Sequence, residues 1–261
     1  DVMAAVLARE VRDGDVVGVG LGTPLALCAC LVARRTHAPG ADVLVGGAVS
    51  PDVDLLTCMR GARAVEGRTP GYVPHIDTMD MAERQAMTLQ FLRPAQVDGE
   101  GSTNTSSVWA PGRPRTRFPG GLATADVPRL MPRIVLYHTD HRPRGLVPRV
   151  DVVTGRGGPS ERGGRRSEGP TLLVTDLCVI AFGTGAPRLV SVHPGVDPGR
   201  VIEATGFELR AGASVPETEP PRPEEVDAMR DLDPHGLRGV ETRDTRAEAL
   251  PRMVRLLEQA A

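Results

Sequence analysis

Residues 171–209 read TLLVTDLCVIAFGTGAPRLVSVHPGVDPGRVIEATGFEL. Short apolar runs in this stretch are rich in Val, Ile and Leu and are bounded by Gly, Pro or Asp. This pattern predicts buried strands joined by tight turns. The runs are Leu172–Thr175, Leu177–Phe182 and Leu189–His193.

A short helix is predicted after the third run. Asp197-Pro198 puts proline at the first helical position, and the helix should extend from Gly199 to about Ala204. We expect Gly206 to cap this helix in the left-handed conformation, and a further strand to end at Leu209. Strands, turn, helix and strand in this order form the most distinctive pattern of the chain.

Length and composition limit the classes of protein to which the chain can belong. With 261 residues, of which 40% are hydrophobic, it can bury one sizeable core. Aromatic residues make up 3% and the net charge is −2, which disfavours a nucleic-acid-binding surface. The sequence has no apolar run of about 18 residues and no signal peptide. We therefore expect a cytoplasmic protein without a membrane span.

Strands that alternate with helices predict an α/β fold with a largely parallel sheet flanked by helices. We place this domain at residues 1–210 and expect a mobile surface loop at 155–169, because that segment is almost wholly Gly, Arg, Ser and Glu. Residues 211–261 are predicted to be an irregular, Pro- and Glu-rich tail with short helices that wraps the domain or touches a partner. Other predicted elements include the strands Asp42–Val45, Ile134–Tyr137 and Val150–Thr154 and a helix at Thr78–Leu89.

Several kinds of site are excluded or disfavoured by the residues present. The chain contains no Lys, which excludes a Schiff base to an enzyme lysine and a lysine-bearing phosphate loop. The spacing of Gly18, Gly20 and Gly22 does not match a dinucleotide-binding fingerprint. His138 and His141 would point to opposite faces of an extended segment, and the Cys spacing fits no zinc pattern. No metal site is therefore expected.

The stretch 171–209 and two further motifs resemble sequences of the β-type subunits of the family I CoA-transferases. One motif is Gln96-Val97-Asp98 followed by Gly101 and Asn104, and the other is Gly120-Gly121 in a Pro- and Gly-rich turn. The resemblance implies a CoA-transferase-like fold and an α-type partner subunit, in a heterodimer or heterotetramer with the active site at the interface. It also implies an acyl-CoA ligand, so that coenzyme A enters as part of the substrate and no separate cofactor is needed.

The resemblance also implies roles for particular residues. Gly120 and Gly121 would form an oxyanion hole, and His141 would carry out acid–base chemistry. The residues that would bind the substrate are Gln96, Asp98 and Asn104. Judged by residue type alone, Asp98 and Asn104 are also typical of a hairpin turn, and the glycine pair of a flexible turn.

The nucleophile of the transferases is missing. In that family a Glu after the strand equivalent to Asp42–Val45 forms an enzyme–CoA thioester, and Gly46 occupies this position here. The nearest acids are Asp42 and Asp52. No carboxylate is therefore available at the place where the transferase reaction needs one.

We therefore predict one subunit of an acyl-CoA enzyme that makes or breaks a C–C bond by hydrolase or decarboxylase (lyase) chemistry. Superfamily members that lack the Glu include a steroid ring-opening hydrolase, and the C-terminal part of this chain resembles that group. Two alternatives stay open. One is a true CoA-transferase that uses a carboxylate from elsewhere, and the other is a non-catalytic subunit that binds and stabilises its partner.

Overall fold

The computed structural model describes residues 1–20, 22–110, 113–118, 120, 124–162, 165–167 and 169–259. Its strands are β1 Val16–Gly18, β2 Asp42–Val45, β3 Ala48–Val49, β4 Gly71–Tyr72, β5 Leu89–Leu92, β6 Gln96–Val97, β7 Thr103–Asn104, β8 Ser107–Ala110, β9 Arg113–Arg117, β10 Arg133–His138, β11 Ser160–Arg162, β12 Arg165–Ser167, β13 Pro170–Thr175, β14 Cys178–Ala181 and β15 Arg188–Val192. Its α-helices are α1 Val2–Arg9, α2 Pro24–Thr36, α3 Leu55–Met59, α4 His75–Glu83, α5 Val127–Leu130, α6 Pro198–Ala204, α7 Pro223–Leu232 and α8 Arg243–Gln259. Short 3₁₀ helices lie at Ala62–Val65 and Leu237–Val240.

The first of two compact units contains residues 1–91 and 220–261. Strand β1 pairs in parallel with both β2 and β5, and β3 and β4 continue from β2 in antiparallel order. Helix α1 is buried from Met3 to Ala8, and α2 is buried from Pro24 to Ala33. Helices that are apolar on nearly every side belong in a core. The two helices contact each other and form the centre of this unit.

The C-terminal residues belong to this first unit. Helix α7 contacts α2, and its buried Glu225 accepts hydrogen bonds from the Arg9 guanidinium at 2.6 and 2.9 Å. The carboxylate of Glu241 accepts the backbone N–H of Leu25 at 2.9 Å. The boundary of the compact units therefore differs from the predicted division at residue 210, because buried side chains attach residues 220–261 to the N-terminal helices.

The second unit contains residues 92–219. Strand β10 pairs in parallel with β13, and β14 and β15 follow in antiparallel order. The predicted strands of the stretch 171–209 are thus confirmed as β13, β14 and β15. Helix α6 begins with Pro198 as predicted, and the carboxylate of Asp197 caps it by accepting the N–H of Arg200. Three small antiparallel hairpins, β6–β7, β8–β9 and β11–β12, complete the unit.

These elements confirm the predicted α/β fold class, in which parallel strand pairing is combined with surrounding helices. Antiparallel pairing is found in the strand pairs β2–β3, β3–β4, β13–β14 and β14–β15. In the part of the chain that is described, no helix is both long enough and apolar enough to cross a membrane.

The predicted end of α6 is wrong in its details. Gly206 does not have a positive φ, and its N–H donates to the carbonyl of Leu146 at 2.9 Å. A Cβ on Gly206 would lie 2.2 Å from that carbonyl oxygen, so glycine is required here by the close approach of a distant backbone segment. Residues 205–209 form no strand.

Three other local predictions also need correction. Helix α4 ends at Glu83, Gln85 has a φ of 56°, and Leu89 already begins β5. Residues 150–154 are irregular, and the N–H of Thr154 donates to the carbonyl of Thr103 at 2.9 Å. The segment 155–169, predicted to be a mobile surface loop, contains the β11–β12 hairpin, and α5 contacts both of its strands.

Candidate functional site

Gly46 lies in the first unit, in the turn between β2 and β3. Gly46 and Gly47 have φ values of 57° and 92°, and Leu44 and Val45 pair with Val49 and Ala48 on either side of them. Positive φ at both central residues is what the commonest two-residue hairpin turn requires. A Cβ on Gly46 would meet no other described atom within 4 Å, whereas one on Gly47 would lie 2.9 Å from the carbonyl oxygen of Val73.

The acids closest in sequence do not replace the missing Glu. Asp42 lies four residues before Gly46 along an extended strand, which corresponds to about 13 Å. Its carboxylate is held at that distance by a hydrogen bond from the Ser50 hydroxyl at 2.8 Å. The backbone N–H of Asp52 donates to the carbonyl of Arg68, which directs this residue into a different loop. Neither of these two acids therefore takes the place of the missing nucleophile.

In the second unit, the buried residues Gln96 and Asn104 form, with Asp151 and Trp109, a polar cluster that we call the hairpin network. The Asn104 side-chain amide donates to Gln96 Oε1 at 2.7 Å and to the carbonyl of Ser107 at 2.8 Å. Its oxygen accepts the N–H groups of Ser106 and Ser107 at 3.0 and 3.2 Å. All of its hydrogen-bonding capacity is therefore used within the protein.

Gln96 connects Asn104 to Asp151 through hydrogen bonds of its side-chain amide. Its Nε2 donates to Asp151 Oδ2 at 3.1 Å, and its Oε1 accepts the backbone N–H of Asp151 at 3.0 Å. The same Oδ2 atom accepts the backbone N–H of Trp109 at 2.9 Å. Gln96 and Asn104 are 4% and 0% exposed, whereas Asp151 is exposed. The network thus begins in the core and ends at the surface, where it fixes the β8 strand.

Asp98 has a turn-forming role. Its Oδ1 accepts the N–H groups of Glu100 and Ser102 at 3.1 and 2.9 Å, which is the Asx-type chemistry expected between two strands. Burial raises the pKa of its carboxyl group, and the donating backbone amides oppose that rise. The positions of Asp98 and Asn104 agree with the structural alternative for both residues, and the side chain of Asn104 has no free group for a substrate.

Gly120 lies against Thr105. A Cβ at residue 120 would be 2.3 Å from the Thr105 carbonyl oxygen, so only glycine fits without moving the backbone. The Gly120 carbonyl accepts hydrogen bonds from the hydroxyls of Thr105, at 2.7 Å, and Thr124. Thr154 Oγ1 in turn accepts the N–H of Thr105 at 3.2 Å. These contacts fix the start of the glycine turn. Gly121 lies outside the described residues, and the oxyanion hole remains a prediction.

His141 is part of a second buried cluster, which we call the closed network. Its Nδ1 contacts Thr175 Oγ1 at 2.9 Å and its Nε2 contacts Thr205 Oγ1 at 3.0 Å. Nearby, His193 Nε2 lies 2.8 Å from the carbonyl of Thr175, and its Nδ1 lies 3.0 Å from Thr218 Oγ1. These five residues are between 0% and 9% exposed, and each ring nitrogen has a partner.

The closed network encloses His141, the predicted proton carrier. Burial lowers the pKa of His141 to about 4 and also lowers the pKa of His193, so both rings are neutral at pH 7. A general acid or base must reach the proton that it transfers, and the His141 ring is enclosed by protein hydroxyls. The assignment of His141 to acid–base chemistry is therefore not supported, and its role is to join β13, α6 and the loop after β10.

Asp151 and Trp109 had no predicted role. Trp109 is the single Trp of a chain with 3% aromatic residues, and that scarcity is the one sequence cue that could have drawn attention to it. Nothing in the sequence around Asp151 distinguishes it from an ordinary surface acid. Among the described residues, no three His, Cys, Asp or Glu side chains are placed to hold a metal ion.

Comparison with known proteins places these features in a family. No family model matches the chain. Its structure is similar to a chain of the decarboxylase AibA/AibB, with a TM-score of 0.81, 33% sequence identity and coverage of 92% of this chain and 97% of the other. It is 28% identical to a subunit of the glutaconate CoA-transferase of Acidaminococcus fermentans, over 90% of this chain and 92% of the relative.

A third relative is the cholesterol ring-cleaving hydrolase IpdB subunit of Mycobacterium tuberculosis. This relative is 29% identical, and the match covers 93% of this chain and 98% of the hydrolase subunit. The similarity therefore extends over nearly the whole chain and includes transferase, decarboxylase and hydrolase subunits. The chain belongs to the β-type subunits of the CoA-transferase superfamily.

Proposed function

We propose that this chain is the β-type subunit of a cytoplasmic enzyme that makes or breaks a C–C bond of an acyl-CoA by hydrolase or lyase chemistry. An α-type CoA-transferase-like subunit is its partner, in a heterodimer or heterotetramer. Coenzyme A takes part as the carrier of the acyl group, and no separate cofactor is needed. The observation that supports this most directly is the Gly46-Gly47 turn, which has no carboxylate where a transferase needs a nucleophile.

The activities of the relatives agree with this proposal. They include a decarboxylase and a ring-cleaving hydrolase, both related to this chain over at least 92% of its length. When the bond between the α carbon of an acyl-CoA and the next carbon breaks, its electron pair moves through the α carbon toward the thioester carbonyl oxygen. The other fragment leaves as carbon dioxide, or as a carboxylic acid once water has added to it. The site then needs hydrogen-bond donors at the oxygen and a proton for the carbon, and it needs no covalent carboxylate. Because His141 is enclosed, the proton carrier is another residue of this chain or of the partner.

The relatives also include a CoA-transferase, and one experiment separates this reaction from the proposed one. The complex, purified with its partner, is incubated with acetyl-CoA and glutaconate, treated with borohydride and analysed by intact-mass spectrometry of each subunit. We expect no CoA-dependent mass change on this chain and no acyl exchange between the two acids. Omitting acetyl-CoA provides the control.

A CoA-dependent mass change on an Asp or Glu of this chain would restore the transferase interpretation. If the partner alone had the full activity of the complex and this chain changed only its stability, the non-catalytic alternative would hold. Cleavage of a C–C bond in a panel of acyl-CoA compounds by the complex, and by neither subunit alone, is the positive result.

A further inference from the structure

Trp109 is an exposed aromatic residue held in a fixed position. Its side chain is 47% exposed, yet its indole N–H donates to Ser107 Oγ at 3.0 Å and its backbone N–H donates to Asp151 Oδ2 at 2.9 Å. Exposed large aromatic side chains with both ring and backbone fixed are pre-organised to stack on a ligand, because little conformational entropy is lost on binding.

One basic side chain of the β8–β9 hairpin starts on the same face as this ring, whereas Arg113 pairs with Ala110 and so belongs to the opposite face. Arg117 pairs directly with Ser107 across the β8–β9 hairpin, and residues directly opposite each other share one face. Since the Trp109 indole contacts Ser107, the indole and the Arg117 side chain start from neighbouring positions of the same face. Arg113 and Arg115 are also exposed on β9. Within the described residues, none of these three guanidinium groups has a hydrogen bond or an ion pair.

A fixed aromatic surface with an exposed guanidinium group on the same face fits a ligand that is both aromatic and anionic. Aromatic side chains stack on nucleobases, and guanidinium groups bind phosphate oxygens in a bidentate manner. We propose that the exposed face of the β8–β9 hairpin, with Trp109 and Arg117 at its centre, binds the phosphorylated adenine nucleotide of the CoA substrate. This inference rests on the proposed function, because an acyl-CoA is the substrate that carries such a nucleotide.

The hairpin network has a defined part in this binding site. Asn104 and Gln96 orient Asp151, and Asp151 holds the backbone of Trp109. Two of the three residues that the family resemblance associates with substrate binding, Gln96 and Asn104, therefore act through the hairpin that they hold, and they are positioning residues. This explains why a buried, fully hydrogen-bonded Asn104 belongs to a motif associated with substrate binding.

The test measures binding of CoA, of 3′,5′-ADP and of pantetheine to the purified two-subunit complex by titration calorimetry. Pantetheine carries the thiol of CoA and lacks its nucleotide, so it reports on the rest of the site. The variants are Arg117→Gln and Trp109→Leu. The matched control is Arg129→Gln, which removes an exposed guanidinium from α5 of the same unit. Copurification of the partner is recorded for each variant.

We expect each hairpin variant to weaken binding of CoA and of 3′,5′-ADP about 10-fold, because one charge-assisted or stacking contact is lost. Binding of pantetheine should not change, and Arg129→Gln should bind all three probes as the wild type does. Equal CoA affinity in the wild type and both hairpin variants would overturn the inference and leave the proposed function intact. Loss of the partner from both variants would assign the face to the subunit interface and would also overturn the inference. A wild-type complex that binds neither CoA nor any acyl-CoA would refute the proposed function itself.

Discussion

The closed network is built from His and Thr side chains, the hairpin network combines amide and carboxylate side chains with Trp109, and both lie in the second unit. In the closed network, both ring nitrogens of His141 and of His193 are satisfied by other buried groups. In the hairpin network, hydrogen bonds lead from fully buried Asn104 to exposed Asp151 and Trp109. A polar network that closes on itself holds the fold together, whereas one that ends at the surface holds a surface group in place. The two networks should therefore respond differently to substitution.

The largest effect is expected for Thr175→Val in the closed network. The Thr175 hydroxyl accepts the N–H groups of Leu177 and Cys178, both at 3.1 Å, and contacts His141 Nδ1. A nearly isosteric Val leaves three polar groups without this partner, two of them fully buried, which should lower the free energy of unfolding by about 3–5 kcal/mol. Urea denaturation measures this loss.

The matched control for this change is Thr171→Val in the same strand. Its hydroxyl makes one hydrogen bond, to the carbonyl of Ile134 at 3.2 Å, so a loss of about 1 kcal/mol is expected. The folded Thr175→Val complex should keep the CoA affinity of the wild type. If the two variants lost equal stability, or if Thr175→Val weakened CoA binding, the assignment of the closed network to the fold alone would be wrong.

The second prediction concerns the dependence of stability on pH. The folded protein holds His141 with a pKa of about 4, below the value of about 6.5 that an unfolded chain gives a His. Between these values the unfolded chain binds a proton that the folded chain does not, so stability falls as the pH falls. The loss from this residue approaches about 3 kcal/mol at pH 4.

The variant His141→Gln isolates this contribution from those of other groups. Burial raises the pKa of Asp98 and of Asp176, and these carboxyl groups act in the opposite direction, because their folded forms take up protons first as the pH falls. The difference between the wild-type and His141→Gln unfolding free energies should shrink from pH 7 to pH 4. Parallel curves over that range would contradict the buried, neutral state of His141.

The smallest stability change is expected for Asp151→Ala in the hairpin network. The substitution removes the acceptor of Gln96 Nε2 and of the Trp109 N–H, at a place open to water, and should cost about 1 kcal/mol. Binding of CoA should nevertheless weaken about 5-fold, since Trp109 is no longer held in place. Asp151→Asn keeps an acceptor oxygen and should restore CoA affinity. If Asp151→Ala lowered stability without weakening CoA binding, the hairpin network would have a purely structural role, like the closed network.

The elements set by local sequence could be predicted, and those set by distant contacts could not. Strands β13 to β15 and the proline start of α6 follow from short apolar runs and from Asp197-Pro198, which act over a few residues. Gly206 has the correct residue type for a cap, but its real constraint is a carbonyl at Leu146, far away in the sequence. The predicted helix Thr78–Leu89 is too long, because Gln85 has a positive φ that separates α4 from β5 and no local pattern indicates this.

The candidate site shows the same limit. The absence of a carboxylate at Gly46 can be read directly from the sequence, because it concerns one residue at the end of one strand. The enclosure of His141 depends on Thr175 and Thr205, which lie 34 and 64 residues away, and the fixed position of Trp109 depends on Asp151. Such side-chain partnerships form across the fold and leave no periodic pattern in the sequence.

The Gly46-Gly47 turn also has a consequence for how this chain can change in evolution. A Glu at residue 46 would have to adopt a φ near 57°, and for residues other than Gly this conformation costs about 1–2 kcal/mol. A gene that acquired a Glu codon at this position would encode a less stable hairpin before it encoded a useful nucleophile. Proteins have little stability to spare, so the gain of a transferase nucleophile at residue 46 would require the turn to be remodelled along with the codon.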